Sequence, residues 1–247
     1  MTESLTPIIV GLLIIFLAGI TQGLTGFGFA LVSVPILIMF LSPKAVVPIV
    51  IMDSIAINVM ILFEARKWLD LRRIWPLIVA SIIGLPVGTY LLVVLNVSVL
   101  KILIGVITIP FAIALMLGFK KEIRNEKLAL SLIGLLAGVL NASTSLSGPP
   151  IILFLINQGV EKLVFRANLV AYFMVLAVAT TAALAVGGVV TGAVIKYSLW
   201  FLPAAILGTL VGMRLAHRVN EKVFRNAALI IVTIAALASV ASGFGLY

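Results

Sequence analysis

Residues 140–155 constrain the fold of this chain most, because they interrupt a long apolar run without ending it. The run resumes after Gly148-Pro149-Pro150, and it is interrupted by polar residues at Asn141, Ser143, Thr144, Ser145 and Ser147. A helix cannot pass unbroken through two prolines, since each lacks an N–H and clashes with the preceding turn. The pattern predicts that one helix ends here and that another begins at residue 147 or 148.

Composition places this break inside a membrane. The chain is 63% hydrophobic and 10% charged over 247 residues, with a mean hydropathy of +1.33. Such a composition allows roughly seven to ten membrane-spanning helices. The net charge of +9 is therefore expected to hold loops in the cytoplasm rather than to bind nucleic acid. In lipid, the N–H groups freed at the break must face protein or a water-filled cavity, where they can bind a ligand.

A second interruption, at residues 21–28, divides the apolar run of residues 8–40. Gln22 and Thr25 in this interruption precede Asn141 and Thr144 by 119 residues. Paired broken segments in a weak internal repeat are typical of secondary transporters. Unbroken spans are predicted at 46–63, 74–94, 99–119, 164–186, 194–212 and 223–240.

The basic residues predict that each broken segment is a hairpin that returns to its own side of the membrane. The loops at 64–73, 120–127, 162–166 and 214–225 then share one side and hold 14 of the 17 Lys and Arg residues. Single crossings at both breaks would instead divide these residues almost equally. The positive-inside rule favours the hairpins, with both termini outside.

The predicted fold is an all-α polytopic membrane protein with two inverted-topology repeats. Each repeat contains a broken helical hairpin and three further transmembrane helices. The repeats are residues 1–119 and 128–247, and a cytoplasmic linker at 120–127 joins them.

The two hairpin tips are predicted to meet near the midplane and to bind a small anion. The second arm of each hairpin points its N-terminus at the tip, with unpaired N–H groups and partial positive charge. Such ends bind anions without a buried Lys or Arg, so we expect two facing half-cages supplemented by side-chain amides. The alternative is that the small residues serve only close helix packing, as expected for the glycines at 84, 88, 208 and 212. The candidate substrate-binding residues are Gln22, Thr25, Gly26, Phe27, Gly28, Asn141, Ser143, Thr144, Ser145, Ser147 and Gly148.

Two charged residues need a separate interpretation. Asp53 is the one acid well inside a predicted span, where an acid costs roughly 2.5–3.5 kcal/mol, so it should face protein or water. It is either a proton-coupling site or a structural acid bonded to its surroundings or to Asn58. Arg166 begins a later span close to the exit of the second hairpin. Its alternatives are the electrostatic attraction of anions and, as we expect, extension of its side chain to the interface.

The sequence contains no residue set typical of an enzyme or a metal site. It has no cysteine and a single histidine, which excludes thiolate ligands and a histidine pair. No Ser/Lys or paired-acid arrangement stands out in the spans either. We therefore expect no catalysis, no metal and no cofactor.

These features resemble the sulfite exporter TauE/SafE family, also called the toluenesulfonate uptake permease family. The resemblance covers nearly the whole chain and rests on the paired Gly-x-x-x-Gly spans, the Gly-Pro-Pro at 148–150 and the first broken segment ending in Val34-Pro35-Ile36-Leu37. It implies a multi-helix permease of the cell membrane that moves sulfite, organosulfonates or related small anions.

The expected function is secondary transport of such an anion by alternating access. A passive anion channel and a carrier for another small organic anion are the alternatives. The expected partners are the anion and the lipid bilayer, and the sequence leaves the oligomeric state open.

Overall fold

Both interruptions break a helix, as the sequence predicts. The computed structural model describes residues 5–117, 126–157, 161–216 and 221–245, and these residues form helices and no strand. A 3₁₀ turn at Arg66–Trp68 follows α3. The helices are α1 (Leu5–Thr25), α2 (Phe29–Leu37), α3 (Pro43–Ala65), α4 (Leu71–Val94), α5 (Val97–Leu117), α6 (Glu126–Thr144), α7 (Gly148–Asn157), α8 (Lys162–Val186), α9 (Gly192–Leu215) and α10 (Glu221–Gly243).

The helices are those of a multi-pass membrane protein, which confirms the predicted class. Within the described ranges, six are long and apolar enough to cross a membrane, and shorter apolar helices occur at Leu130–Thr144 and Ala228–Gly243. Large apolar side chains point outwards, and Phe63, Leu117 and Val186 are 68%, 75% and 92% exposed. Polar side chains are instead buried at the break positions and along the inner helices. This distribution suits a bundle surrounded by lipid.

Two helix pairs pack at close range through glycines: α1 lies beside α9, and α4 lies beside α6. A Cβ added at Gly19 would lie 2.7 Å from the carbonyl oxygen of Ala205. Still closer approaches to the partner backbone would arise at Gly84, Gly88, Gly138, Gly208 and Gly212. Small residues let helix backbones approach in this way, so the packing role expected for the glycines at 84, 88, 208 and 212 is confirmed.

Contacts along the helices fix their directions. Residue numbers rise together along α1 and α9, since Gly19 faces Ala205 and Gly23 faces Met213. The facing glycine positions of α4 and α6 rise together in the same way. By contrast, α3 and α8 are antiparallel, because the end of α3 pairs with the start of α8 through Glu64 and Arg166.

These directions make the two broken segments enter the bundle from opposite ends. We call the end where α3 begins and α8 ends the first end. Since α9 follows α8 and α1 is parallel to α9, α1 also begins at the first end, and the chain returns there through α2 to start α3. The second end is where α3 ends and α4 begins. Because α6 is parallel to α4, the chain leaves the second end in α6 and returns there through α7 to start α8.

Candidate functional site

The first break is a left-handed turn between α1 and α2. Gly26 and Gly28 have φ angles of 82° and 102°, which glycine adopts without strain. The N–H of Gly26 donates to the carbonyl oxygen of Gln22 at 2.7 Å and so closes the last turn of α1. The N–H of Phe29, the first residue of α2, donates to Gln22 Oε1 at 3.0 Å.

The second break repeats this construction with other residues. Ser145 has a φ of 64° and is the one non-glycine residue in the described ranges with a positive φ. Its N–H donates to the carbonyl oxygen of Asn141 at 2.8 Å. Ser145 and Asn141 follow Gly26 and Gln22 by 119 residues. The left-handed residue that closes α1 thus has a counterpart at the end of α6, whereas the second positive φ of the first break, at Gly28, has none at Ser147.

A cavity of about 60 Å³ lies between the two breaks. It also touches Ser54 and Phe173, which lie midway along α3 and α8, so the cavity is near the middle of the bundle. This volume holds about four water molecules, which suits a small oxyanion. Seven of the predicted site residues line it, namely Gln22, Phe27, Gly28, Asn141, Ser145, Ser147 and Gly148.

The other four predicted substrate-binding residues do not line the cavity. Three carry hydroxyl groups that donate to carbonyl oxygens four residues earlier in the same helix, at 2.7–2.9 Å. The fourth is a glycine that packs against the aliphatic part of the Arg166 side chain. These four, which shape the helix ends, are Thr25, Gly26, Ser143 and Thr144.

Gln22 uses its whole side-chain amide inside the protein. Its Oε1 accepts from the N–H of Phe29, and its Nε2 donates to Asn58 Oδ1 at 2.8 Å and to the carbonyl oxygen of Gly26 at 3.4 Å. The amide therefore joins α1, the start of α2 and α3. It holds the first break in shape.

Asn141 has the matching position in the second break. Its Nδ2 donates to Thr180 Oγ1 at 2.8 Å, and its Oδ1 accepts from Ser147 Oγ at 2.9 Å. Asn141 thus ties α6 to α8 and fixes the Ser147 hydroxyl at the cavity wall. The amides expected to supplement the half-cages are bonded mainly to the protein itself.

The start of α2 presents free backbone donors to the cavity. Val32 is the first residue of this helix whose N–H bonds back within the segment, to the carbonyl oxygen of Gly28 at 2.9 Å. The N–H of Phe29 is already bonded to a side chain. In the described part of the chain, the N–H groups of Ala30 and Leu31 have no acceptor, and both residues line the cavity.

The start of α7 lacks the two donors that correspond to Ala30 and Leu31. Pro149 and Pro150 occupy the positions 119 residues after Ala30 and Leu31, and proline has no N–H. At these two positions α7 has no N–H to offer, and the polar side chains on that wall are those of Asn141, Ser145 and Ser147. The second break therefore offers fewer backbone donors than the first. The N–H of Gly148, which lines the cavity, still has no acceptor among the described residues, so the two facing half-cages stay a prediction.

Sequence reasoning did not assign Ser54, Asn58, Phe173 or Ala177 to the site, although all four line the cavity. Ser54 and Asn58 are one helical turn apart inside an apolar span, and that pattern could have indicated a polar face. The repeat offset of 119 residues relates them to Phe173 and Ala177. In each half, the same two positions of a long helix thus complete the wall.

Asp53 is fully buried but does not line the cavity. Its Oδ1 accepts from Ser198 Oγ on α9 at 2.6 Å, so the expected alternative of a bond to Asn58 is wrong. Within the described residues its Oδ2 has no hydrogen-bond partner. The next residue, Ser54, lies on the cavity wall.

The Arg166 side chain lies against the end of α1. Its side chain is 15% exposed, and Nη2 donates to the carbonyl oxygen of Gly23 in the last turn of α1 at 2.9 Å. A longer contact of 3.6 Å joins it to Glu64. The guanidinium therefore satisfies a helix-end carbonyl and holds the first break against α3 and α8.

The cavity combines a mostly apolar wall with a few polar groups and, in the described part of the chain, no charged residue. Among the described residues that line it, none is Lys, Arg, His, Asp or Glu. The described ranges also contain no group of three or more residues able to hold a metal ion. Any anion in this cavity must be held by N–H groups, amides and hydroxyls.

Comparison with known protein families identifies a match over most of the chain. The family model described as "Sulfite exporter TauE/SafE" matches residues 11–239. Neither a curated protein nor a solved structure matches the chain.

Proposed function

The chain belongs to the sulfite exporter TauE/SafE family, a family of membrane transporters for sulfite and sulfonates, and we propose that it is a secondary transporter that carries such an anion through the cavity between the two breaks. The observation that carries the proposal is the cavity itself. It lies near the middle of the bundle, and both breaks line it. The first residues of α2 are on its wall, and the N–H groups of Ala30 and Leu31 have no acceptor in the described structure. Helix starts of this kind bind anions.

Alternating access is proposed to use the two halves of the chain as inverted repeats, residues 1–119 and 128–247. Their support is the direction of the helices: α1–α2 leaves and returns to the first end, whereas α6–α7 leaves and returns to the second. If each helix of the first half corresponds to the helix numbered five higher, α1 corresponds to α6 and α4 to α9. The contact of α1 with α9 then corresponds to the contact of α6 with α4. Broken helices that meet from opposite sides are typical of carriers with a midplane site.

Asp53 is proposed as the site of proton coupling. It is buried inside the longest span, and one of its carboxyl oxygens has no partner in the described structure. A proton would bind there while the other oxygen keeps its bond to Ser198. Asp53 directly precedes Ser54, which lies on the cavity wall, so the proposed proton site is one residue away from the anion site.

Binding to purified protein tests the proposed function. Sulfite, sulfoacetate, thiosulfate and acetate would be titrated in turn, and the sulfur anions should bind more tightly than acetate. Gly148→Leu should abolish binding, because a Cβ there lies 3.2 Å from Phe173 and 3.5 Å from Ile152, both in the cavity wall. Gly148 is the better site than Gly28, whose φ of 102° strains any side chain.

Flux in proteoliposomes completes this test. A carrier gives saturable flux that accumulates anion against its gradient when a proton gradient is applied. Non-saturating flux would indicate a channel and would contradict the proposal. Failure of the wild-type protein to bind any of the sulfur anions would contradict it as well.

A further inference from the structure

We infer, on the basis of the proposed function, that Asn58 on α3 is a side-chain ligand of the anion and that Gln22 orients its amide for this role. Asn58 is 1% exposed and lines the cavity. It lies in the middle of an unbroken span, outside both breaks. The inference follows from the hydrogen bonds that decide which way its amide faces.

The orientation starts from a backbone N–H group, whose role in a hydrogen bond is fixed. The N–H of Phe29 can only donate, so the Gln22 atom that it contacts must be the oxygen. The Gln22 nitrogen then faces the carbonyl oxygen of Gly26 and the side chain of Asn58. Since that nitrogen can only donate, the Asn58 atom next to it must be Oδ1. We call this chain of hydrogen bonds from Phe29 through Gln22 to Asn58 the relay. Each bond in it fixes the orientation of the next amide.

The relay leaves the Asn58 nitrogen facing the cavity. No acceptor for its Nδ2 occurs in the ranges that the structure describes. The N–H groups of Ala30 and Leu31 are free on the same cavity wall. Three groups that only donate therefore surround one space. We call this space, with its donors from Ala30, Leu31 and Asn58, the seat. It favours a group with acceptors on every side, such as a sulfonate or sulfite, and it repels cations.

The seat belongs to one half of the molecule. The residue 119 positions after Asn58 is Ala177, and those after Ala30 and Leu31 are prolines. The second half therefore lacks the counterparts of these three donors, and its Ser147 hydroxyl is already donated to Asn141. We therefore expect the anion to bind on the side of the first half.

Titration of sulfite and sulfoacetate into purified variants tests the inference. Asn58→Asp keeps an oxygen to accept from Gln22 but turns an oxygen and a negative charge towards the cavity, so binding should fall below detection. Asn58→Ala should weaken binding about 10- to 100-fold, the equivalent of one hydrogen bond to a charged group. Alanine fits, because the second half already carries it at position 177. This variant also decides the matter if the aspartate variant does not fold.

The relay has its own test. Gln22→Met frees the Asn58 amide to rotate and should weaken binding to a similar degree. Combining it with Asn58→Ala should cause little further loss, because both changes remove the same donor. Fully additive losses would show that Gln22 and Asn58 act separately, and that result would overturn the relay.

Asn96→Asp is the matched control. Asn96 at the start of α5 accepts from the N–H of Val99 at 2.8 Å, so a carboxylate keeps its bond there, and it does not line the cavity. Binding should stay within about twofold of wild type. If the wild type binds the anion and both Asn58 variants bind it equally well, this inference is overturned, whereas the proposed function is not. Absence of wild-type binding would overturn the proposed function, and this inference with it.

Discussion

Replacing Gly19 by alanine should loosen the pair α1 and α9 by a calculable amount. The added Cβ would lie 2.7 Å from the carbonyl oxygen of Ala205 and 3.0 Å from the nitrogen of Thr209. Both atoms belong to the backbone of α9, so neither can move aside by a change of rotamer. Restoring ordinary van der Waals contact requires the helices to separate locally by about 0.7 Å.

The expected loss of stability is about 1–3 kcal/mol, the usual cost of overpacking a close contact. For a chain of this size, each kcal/mol corresponds to about 2–4 °C in the unfolding midpoint. We therefore expect a decrease of about 2–12 °C, measured by thermal unfolding of purified protein in detergent.

Gly192→Ala provides the control for this measurement. Gly192 begins α9, and an added Cβ there meets no atom within 4 Å. Its midpoint should stay within about 2 °C of wild type, as for most substitutions at open positions. Equal midpoints for Gly19→Ala and Gly192→Ala would refute the close packing of α1 against α9.

Four further outcomes are expected. Ser145→Gly should raise stability by up to about 1 kcal/mol, because relief of the left-handed serine outweighs the added chain entropy; an unchanged or lower midpoint would contradict this. Arg166→Gln should lower stability by about 1.5–3 kcal/mol through loss of a charge-assisted bond to a helix-end carbonyl, with little from its half-exposed ion pair; an unaltered midpoint would show that this bond is not needed. Asp53→Asn should abolish proton-driven uptake in proteoliposomes while anion exchange continues, and proton-driven uptake at the wild-type rate would reduce Asp53 to a structural role. Single cysteines in this cysteine-free chain should be labelled from outside intact cells at Ser42→Cys but not at Lys67→Cys, and the reverse pattern would invalidate the proposed orientation.

The helices and their breaks could be predicted because few backbone structures are stable in lipid. An apolar run must be helical there, and proline, glycine and clustered polar residues mark where a helix stops. The predicted restart at residue 147 or 148 coincides with α7, which begins at Gly148. The predicted first interruption began at residue 21, yet α1 continues to Thr25. Its threonines bond to their own helix and so do not end it.

The site could be predicted only in part, because part of it is backbone and part is distant in sequence. Residues in the breaks attract notice by their type, but Ala30 and Leu31 contribute N–H groups that any residue other than proline would supply. Asn58 lies in an unbroken span, and its role depends on a hydrogen bond to a residue 36 positions earlier. The partner of Asp53 is 145 residues away. A single sequence does not indicate such pairings.

The close pairing of α1 with α9 has a consequence for how the protein is made. The glycine-lined side of α1 finds its partner about 190 residues later in the chain, so it cannot be covered until most of the protein has left the ribosome. α1 therefore enters the membrane before α9 exists. Until then its glycine-lined side is exposed to lipid or to an assisting protein. The pair α4 and α6, separated by about 55 residues, can close much sooner. Assembly should thus begin around the middle of the chain and finish with its first helix, and the N-terminal half alone should not reach its final structure.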